Sequence, residues 1–305
     1  MTFLHFFVYI TIIVFLAAVI ARGVRIARMP IHLRWDLYPI PHEKGRAHYG
    51  GSILEEVDWW TKPRHKDHIG ELKVMILEIL LLKGVWEHNR KLWFGSFPLH
   101  FGLYLLIGGE ALAVLGGVLH LLGQQFLFLQ PVITVVIWTG CVLGVIGTVI
   151  MLLMRIFDSN LSKFSTPSHY FNLLMLGAIY VTGILWLSGD QGFAANLVGF
   201  YAGLVSPSVM PALPAVAFWH IGCALLFMFY LPFTHMTHFF TKYFTYHSVR
   251  WEDETNRPGD PLQKKLDPQL AQVVTWSAPH VGADGRKNWV DIVTSPAPEI
   301  EKETK

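Results

Sequence analysis

The sequence predicts an all-α membrane protein of five transmembrane helices, with its N-terminus outside, its C-terminus in the cytoplasm and one long cytoplasmic loop. Three observations carry that prediction. Of the 305 residues, 52% are hydrophobic and only 15% charged, where a soluble domain carries about 25% charged residues. Five apolar runs are long enough to cross a bilayer, which takes about 20 residues: 3–21, 98–121, 129–154, 170–189 and 213–240. The basic residues are segregated. Between Arg22 and Lys91 there are 13 Lys and Arg, Arg155 and Lys163 follow span three, and nine lie from Lys242 onward, whereas 122–128 and 190–212 have none. Lys and Arg accumulate in cytoplasmic loops, so the long loop and the tail face the cytoplasm. The net charge of +2 gives no reason to invoke nucleic acid.

The first span has nothing basic before Phe3, and Arg22, Arg25 and Arg28 follow it. A signal peptide has the reverse order, so residues 1–22 read as a retained helix. Residues 23–96 form the cytoplasmic loop. It opens with HLRWDLYPIPHEKGRAHYGG and SILEEVDWWTKPRHKDHIG, which read as ordered loop and a polar segment. GELKVMILEILLLKGVWEHNRKLW then reads as an interfacial or re-entrant helix, because Glu78 and Lys83 interrupt a run too short to span. Residues 97–242 make a four-helix membrane domain. The tail, 243–305, is polar and Pro-rich, and RWEDETNRPGDPLQKKLDPQ reads as a segment that extends or lies along a partner. There is no internal repeat of the kind transporters carry.

Cys141 and Cys223 both fall inside spans. Two cysteines cannot ligate an iron–sulfur cluster, and no C-x-x-C-H motif attaches a c-type haem. The histidines are more informative. HIGCALLFMFYLPFTHMTHFF keeps His220, His235 and His238 in a membrane span. On a continuous helix His220 and His238 share one face and stand roughly 27 Å apart, with Pro232 as a candidate kink between them. The second span, running the other way, carries His100 in its first turn and His120 in its last. His100 then matches the depth of His238, and His120 that of His220. Neutral imidazoles from two facing helices supply the two axial ligands of a b-type haem without burying charge. The prediction is therefore a haem-binding bundle with two haems, or one. His235 and His5 read as helix-packing or surface histidines. His169, at the start of the fourth span, reads as interfacial and near a haem propionate. Arg155, Arg90 and Lys91 are candidates for the inner propionates, and each also suits a positive-inside anchor. Gly102, Gly108, Gly109, Gly116 and Gly117, with Gly222 and Ala224 beside His220, leave room either for close helix packing or for a flat macrocycle.

From LHFGLYLLIGG to HIGCALLFMFYLPFTHMTHFF the pattern resembles the haem b (gamma) subunit of respiratory nitrate reductase. The likeness covers about residues 95 to 242 and includes the basic exit LLMRIF from span three. It implies His100, His220 and His238 as ligands. WDLYPIPHE, YGGSILEEVDWW and the GELKVMILEILLLKGVWEHNRKLW segment resemble the cytochrome b subunits of transmembrane redox and sulfite-reductase-associated complexes of sulfate- and metal-reducing bacteria. That resemblance implies menaquinol chemistry in a prokaryotic cytoplasmic membrane. It also implies a cytoplasmic iron–sulfur partner similar to the catalytic subunit of heterodisulfide reductase, and a periplasmic multihaem cytochrome c as a further partner.

The chain departs from the nitrate reductase pattern at one place. That family has a second ligand histidine ten residues after the first, and here the position is Glu110. The fourth ligand is then His120, His5 or a carboxylate, or there is no outer haem. A carboxyl group in mid-span is costly unless protonated or paired, which suits Glu110 to accept a proton from quinol and pass it outward; a protonated acid bonded to a neighbouring helix is the plainer reading. The expected path takes electrons inward from a quinol docked near the outer haem, between spans two, four and five, to the partner's cluster. The same residues allow the reverse direction. A proton-conducting transporter and a haem-free membrane anchor are the competing classes, and the haem content of the purified protein separates them. Trp35, Trp59, Trp60 and Trp86 on the cytoplasmic loop suit either a docking surface or a membrane–water interface.

Overall fold

The structure, a computed structural model, describes residues 3–29, 45, 55–62, 68–124, 128–246 and 259–296. WDLYPIPHE, Trp35 and the start of the tail lie outside the described residues. Among the described residues five helices are long and apolar enough to cross a membrane: α1 (Phe3–Ala27), α4 (Arg90–Leu121), α5 (Leu129–Phe157), α7 (Pro167–Gly189) and the fifth, which runs Ala215–Phe233 with α9 (Ala215–Tyr230) as its α-helical part. Between them stand α2 (His68–Leu80), α3 (Lys83–His88), α6 (Ser159–Ser162) and α8 (Phe193–Val205). After α9 come α10 (His238–Phe244) and α11 (Pro261–Leu270), the two-residue strands β1 (Ser277–Ala278) and β2 (Ala283–Asp284), and α12 (Trp289–Thr294).

The contacts divide the chain into two compact units. The first is Met1–Val19 with Leu72–Thr237, and the second is Ile20–Glu71 with His238–Lys305. In the first unit α4 packs along α5, α5 along α7, and α7 along α9, while α8 lies against α4. Small residues set the closest of these crossings. A Cβ on Gly102 would stand 2.5 Å from the Gly144 nitrogen and 2.6 Å from the Gly140 oxygen, and one on Gly144 would stand 2.5 Å from the Tyr180 ring. Backbones approach this closely only without side chains. Tyr180 closes the layer by donating its hydroxyl hydrogen to the Leu99 carbonyl, 3.2 Å away. Of the glycines expected to leave room beside His100, Gly102, Gly109, Gly116 and Gly117 are filled by α5 and α8, whereas Gly108 faces open space.

The segment expected to be one helix between 70 and 93 is three. α2 stops at Leu80, Leu82 adopts a left-handed backbone (φ 50°), and α4 starts at Arg90 behind Asn89, whose Oδ1 accepts from the Leu92 amide. The last carbonyls of a helix lack partners inside it, and in hydrocarbon they must find one. Here α4 supplies them: Tyr104 donates to the Ile79 oxygen (2.9 Å) and Trp93 Nε1 to the Leu81 oxygen (2.8 Å).

One element was not foreseen and one expectation needs correction. The connection 190–212 holds a further helix. It folds into α8, an apolar helix of 13 residues, about 20 Å long and too short to cross a core of about 30 Å. α1 satisfies its C-terminal carbonyls, His5 Nε2 donating to the Gly203 oxygen at 2.9 Å and Tyr9 to the Leu204 oxygen. The fifth span is not one rod from 213 to 240. Its α-helix ends at Tyr230, and Leu231–Phe233 and His235–Thr237 are 3-10 turns on either side of an extended Thr234. Pro232 explains the break, because it has no N–H to donate and its ring clashes with the preceding turn. The argument that placed His220 and His238 on one helical face therefore lapses.

In the second unit the end of the tail is folded. β1 and β2 pair antiparallel, Trp276 packs edge-on against Trp289 at 5.7 Å, and Asn288 with Asp291 makes a capping box at α12. Only Leu262, Val274, Ala283 and, before the tail module, Tyr246 form buried apolar positions among the described residues of this unit.

Candidate functional site

His100 lies in α4 four residues after Ser96, so it can reach back one turn. Its Nδ1 is 2.7 Å from the Ser96 carbonyl oxygen. A carbonyl only accepts, so Nδ1 carries the hydrogen and Nε2 carries the lone pair in the neutral ring. His220 repeats the arrangement across two helices. Its Nδ1 donates to the Ile179 carbonyl of α7 at 3.1 Å and lies 3.2 Å from Thr182 Oγ1. The ring is 5% exposed, packs 5.8 Å from Trp186, and abuts Gly183, where a Cβ would stand 3.2 Å from its Cε1. A metal-bound histidine characteristically donates its second ring nitrogen in this way, which fixes the tautomer and aims the other nitrogen at the metal. Both imidazoles thus fit axial ligation of a haem. α9 packs on α7 rather than along α4, so the two ligand-type histidines sit on helices that are not packed directly together.

The other expected residues are placed as follows. His238 is the first residue of α10 and belongs to the second unit, whereas His100 and His220 belong to the first. His120 is exposed in the last turn of α4. His5 is buried against α8 through its bond to Gly203. Glu110 is partly buried, and its Oε2 accepts a 2.6 Å hydrogen bond from Tyr201 of α8. Sequence reasoning missed Tyr201; the only signal for it was that an isolated mid-span carboxyl needs a donor. His169 caps α7, its Nδ1 accepting from the Thr166 amide at 3.0 Å. His235 stands beside it, with ring centroids 4.7 Å apart. Arg155 donates from Nη1 to Ser165 at 2.9 Å, and Arg90 lies over the Trp86 ring.

Outside the spans, two carboxylates tie helix ends together. Lys91 donates to Asp158 Oδ2 at 2.7 Å, and that bond, with the amides of Asn160 and Leu161, holds the Asp158 carboxyl below the usual carboxylate range. Partial burial pushes the Asp190 carboxyl up, but hydrogen bonds from Asn196, Trp186 and the Gly192 amide outweigh it and leave it below its ordinary value. Trp186 also packs His220, so Asp190 supports that pocket from behind.

Among the described residues no three His, Cys, Asp or Glu side chains gather as a metal-ion site. Axial ligation of haem asks for two imidazoles, not such a cluster. A family model described as nitrate reductase gamma subunit matches residues 85–252, from α3 past α10. The chain is also 29% identical over 172 residues to the nitrate reductase gamma chain of Bacillus subtilis (strain 168), covering 52% of this chain and 77% of that one. No solved structure matches. The matched region holds α4, α5, α7 and α9 with His100, Glu110, His220 and His238, and the chain belongs to the nitrate reductase gamma subunit family.

Proposed function

We propose that this chain is the membrane cytochrome b subunit of a respiratory complex, passing electrons between a quinol in the bilayer and a cytoplasmic iron–sulfur partner. The observation that carries the reading is the ligand-type tautomer shared by His100 and His220, each with Nδ1–H on a carbonyl and the lone pair on Nε2. His100 would be an axial ligand of one haem b and His220 of a second, with His120 as the other candidate ligand beside His220; His238 stays a ligand by the resemblance alone. Haem b, when bound, supplies one-electron transfer. The chain's own residues do the rest. Ser96 and Ile179 orient the imidazoles, Gly183 admits His220 against α7, and Glu110, hydrogen-bonded to Tyr201, accepts the proton that quinol gives up. The partner similar to the heterodisulfide reductase catalytic subunit, the periplasmic multihaem cytochrome c and the choice of menaquinol are the finer parts of this proposal. They rest on the loop motifs around Trp35, Trp59 and Trp60.

The test is quinol-driven reduction. Purified protein mixed anaerobically with a soluble menaquinol analogue should develop the reduced α-band of haem b. A protein that carries no haem, or whose haem stays oxidised with quinol in excess, would overturn the reading and favour a haem-free anchor.

A further inference from the structure

We propose that Arg155, His169 and His235 form an oxyanion site that takes the phosphate of an anionic lipid, in the leaflet beside the basic loops. The three side chains come from the last turn of α5, the first turn of α7 and the 3-10 turn that follows α9. The two imidazole centroids are 4.7 Å apart, and Arg155 is tied to the same turn by its bond to Ser165, next to the Thr166 whose amide binds His169, and by the Tyr170 hydroxyl on its carbonyl.

Hydrogen-bond accounting shows what the cluster lacks. The Thr166 amide donates to His169 Nδ1, so the neutral ring carries its hydrogen on Nε2. Tyr230 donates to Asn172 Oδ1 at 3.0 Å, which turns the Asn172 amide nitrogen toward His235 Nε2 at 3.4 Å and leaves the His235 hydrogen on Nδ1. Neither of these N–H groups has a protein acceptor among the described residues. Arg155 spends Nη1 on Ser165, while its Nε is buried with no partner. Asp158, three residues along, is already held by Lys91 and two amides. Of these donors only Arg155 Nε is buried, and buried donors are almost always satisfied. A guanidinium flanked by the N–H groups of His169 and His235 matches an oxyanion best.

Two oxyanions could reach this level, a lipid phosphate and a haem propionate. The surroundings favour the lipid. His235 is exposed, and Phe157 and Phe164 beside the cluster are 78% and 80% exposed, with Ile156 and Phe171 exposed as well. Donors at the protein surface, ringed by outward-facing apolar side chains at the basic end of a bundle, suit a headgroup phosphate with its acyl chains along the aromatic rings. The inference does not depend on the haem reading, since lipid retention is measurable on protein of any haem content.

The experiment titrates purified, delipidated full-length protein in detergent with phosphatidylglycerol and reads bound lipid by native mass spectrometry. Arg155→Gln and His235→Ala should each weaken phosphatidylglycerol retention roughly tenfold, the loss of one charge-assisted hydrogen bond. Arg155→Lys should fall between, and Lys163→Gln, a neighbouring exposed cation, should bind as the parent does. Haem content should be unchanged in His235→Ala and Lys163→Gln. Parent-like retention in Arg155→Gln, or an equal loss in Lys163→Gln, would overturn the proposal. An altered haem spectrum in Arg155→Gln with lipid retention intact would assign the oxyanion to a propionate instead. Competition by inorganic phosphate as effective as phosphatidylglycerol would mean a free-phosphate site and would equally overturn it.

Discussion

Glu110 shows how one residue divides this chain from the ligand pattern it resembles. The resemblance puts a carboxyl group where an imidazole is expected, and Tyr201 holds that carboxyl at 2.6 Å. The phenol anchors one oxygen and leaves the other to exchange a proton. Glu110→Gln should therefore slow quinol oxidation at least tenfold while the spectrum of the haem near His100 is unchanged; unchanged turnover would remove the proton role. Tyr201→Phe should give a smaller loss, because the carboxyl survives but loses its fixed geometry. Parent-like turnover in that variant would show that the hydrogen bond only packs α8. Glu110 itself was legible in the sequence as a costly mid-span acid. Tyr201 was not, because nothing in FAANLVGFYAGLV distinguishes a partner of Glu110 from an interfacial tyrosine. His100 and His220 were legible as imidazoles in apolar runs, but their tautomers depend on the Ser96 and Ile179 carbonyls, and only the fold places those.

At the scale of elements, the sequence marks apolar runs well and their interruptions poorly. Four of the five spans run close to where apolar length puts them, although α4 begins eight residues early, through Pro98. The fifth fails at Pro232. An apolar stretch looks the same whether or not its backbone stays helical, and only the missing N–H of proline decides it. α8 escaped notice because 13 apolar residues fall below spanning length, so its helix is fixed by packing on α4 and by α1 capping its end. The glycines were ambiguous in sequence, and close approach resolves most of them as packing. Gly102→Ala or Gly144→Ala should destabilise the bundle by about 1–3 kcal/mol, since each added methyl meets backbone or a buried ring. Gly108→Ala, which faces open space, should be neutral. Thermal unfolding in detergent separates the two classes. Asp190 supplies a pH-dependent joint between α7 and α8. Its carboxyl lies below its ordinary range, so the joint is complete above the unfolded carboxylate pKa of about 3.9 and is lost as pH falls through the lower native value. Acid titration of the near-ultraviolet circular dichroism should show this step in the parent and not in Asp190→Asn.

For the molecule as a whole, segregated charge and five apolar runs announced a multi-pass membrane protein, and family membership over residues 85–252 agrees with that. The tail illustrates the opposite case. Its polar, Pro-rich sequence reads as a segment without a core, yet Pro261–Thr294 forms two short helices and a hairpin around a tryptophan pair. Pairing of Trp276 with Trp289 depends on the turns at Gly282 and Gly285, both of which take positive φ, and composition alone does not reveal where such turns bring distant side chains. The account as a whole rests on imidazoles in α4 and α9 acting as haem ligands. Haem per polypeptide, measured by pyridine haemochrome on the parent and on His100→Ala, tests it most directly. The account predicts one or two haems b in the parent and one fewer in the variant; a parent without haem, or a variant with the parent's full complement, would contradict it.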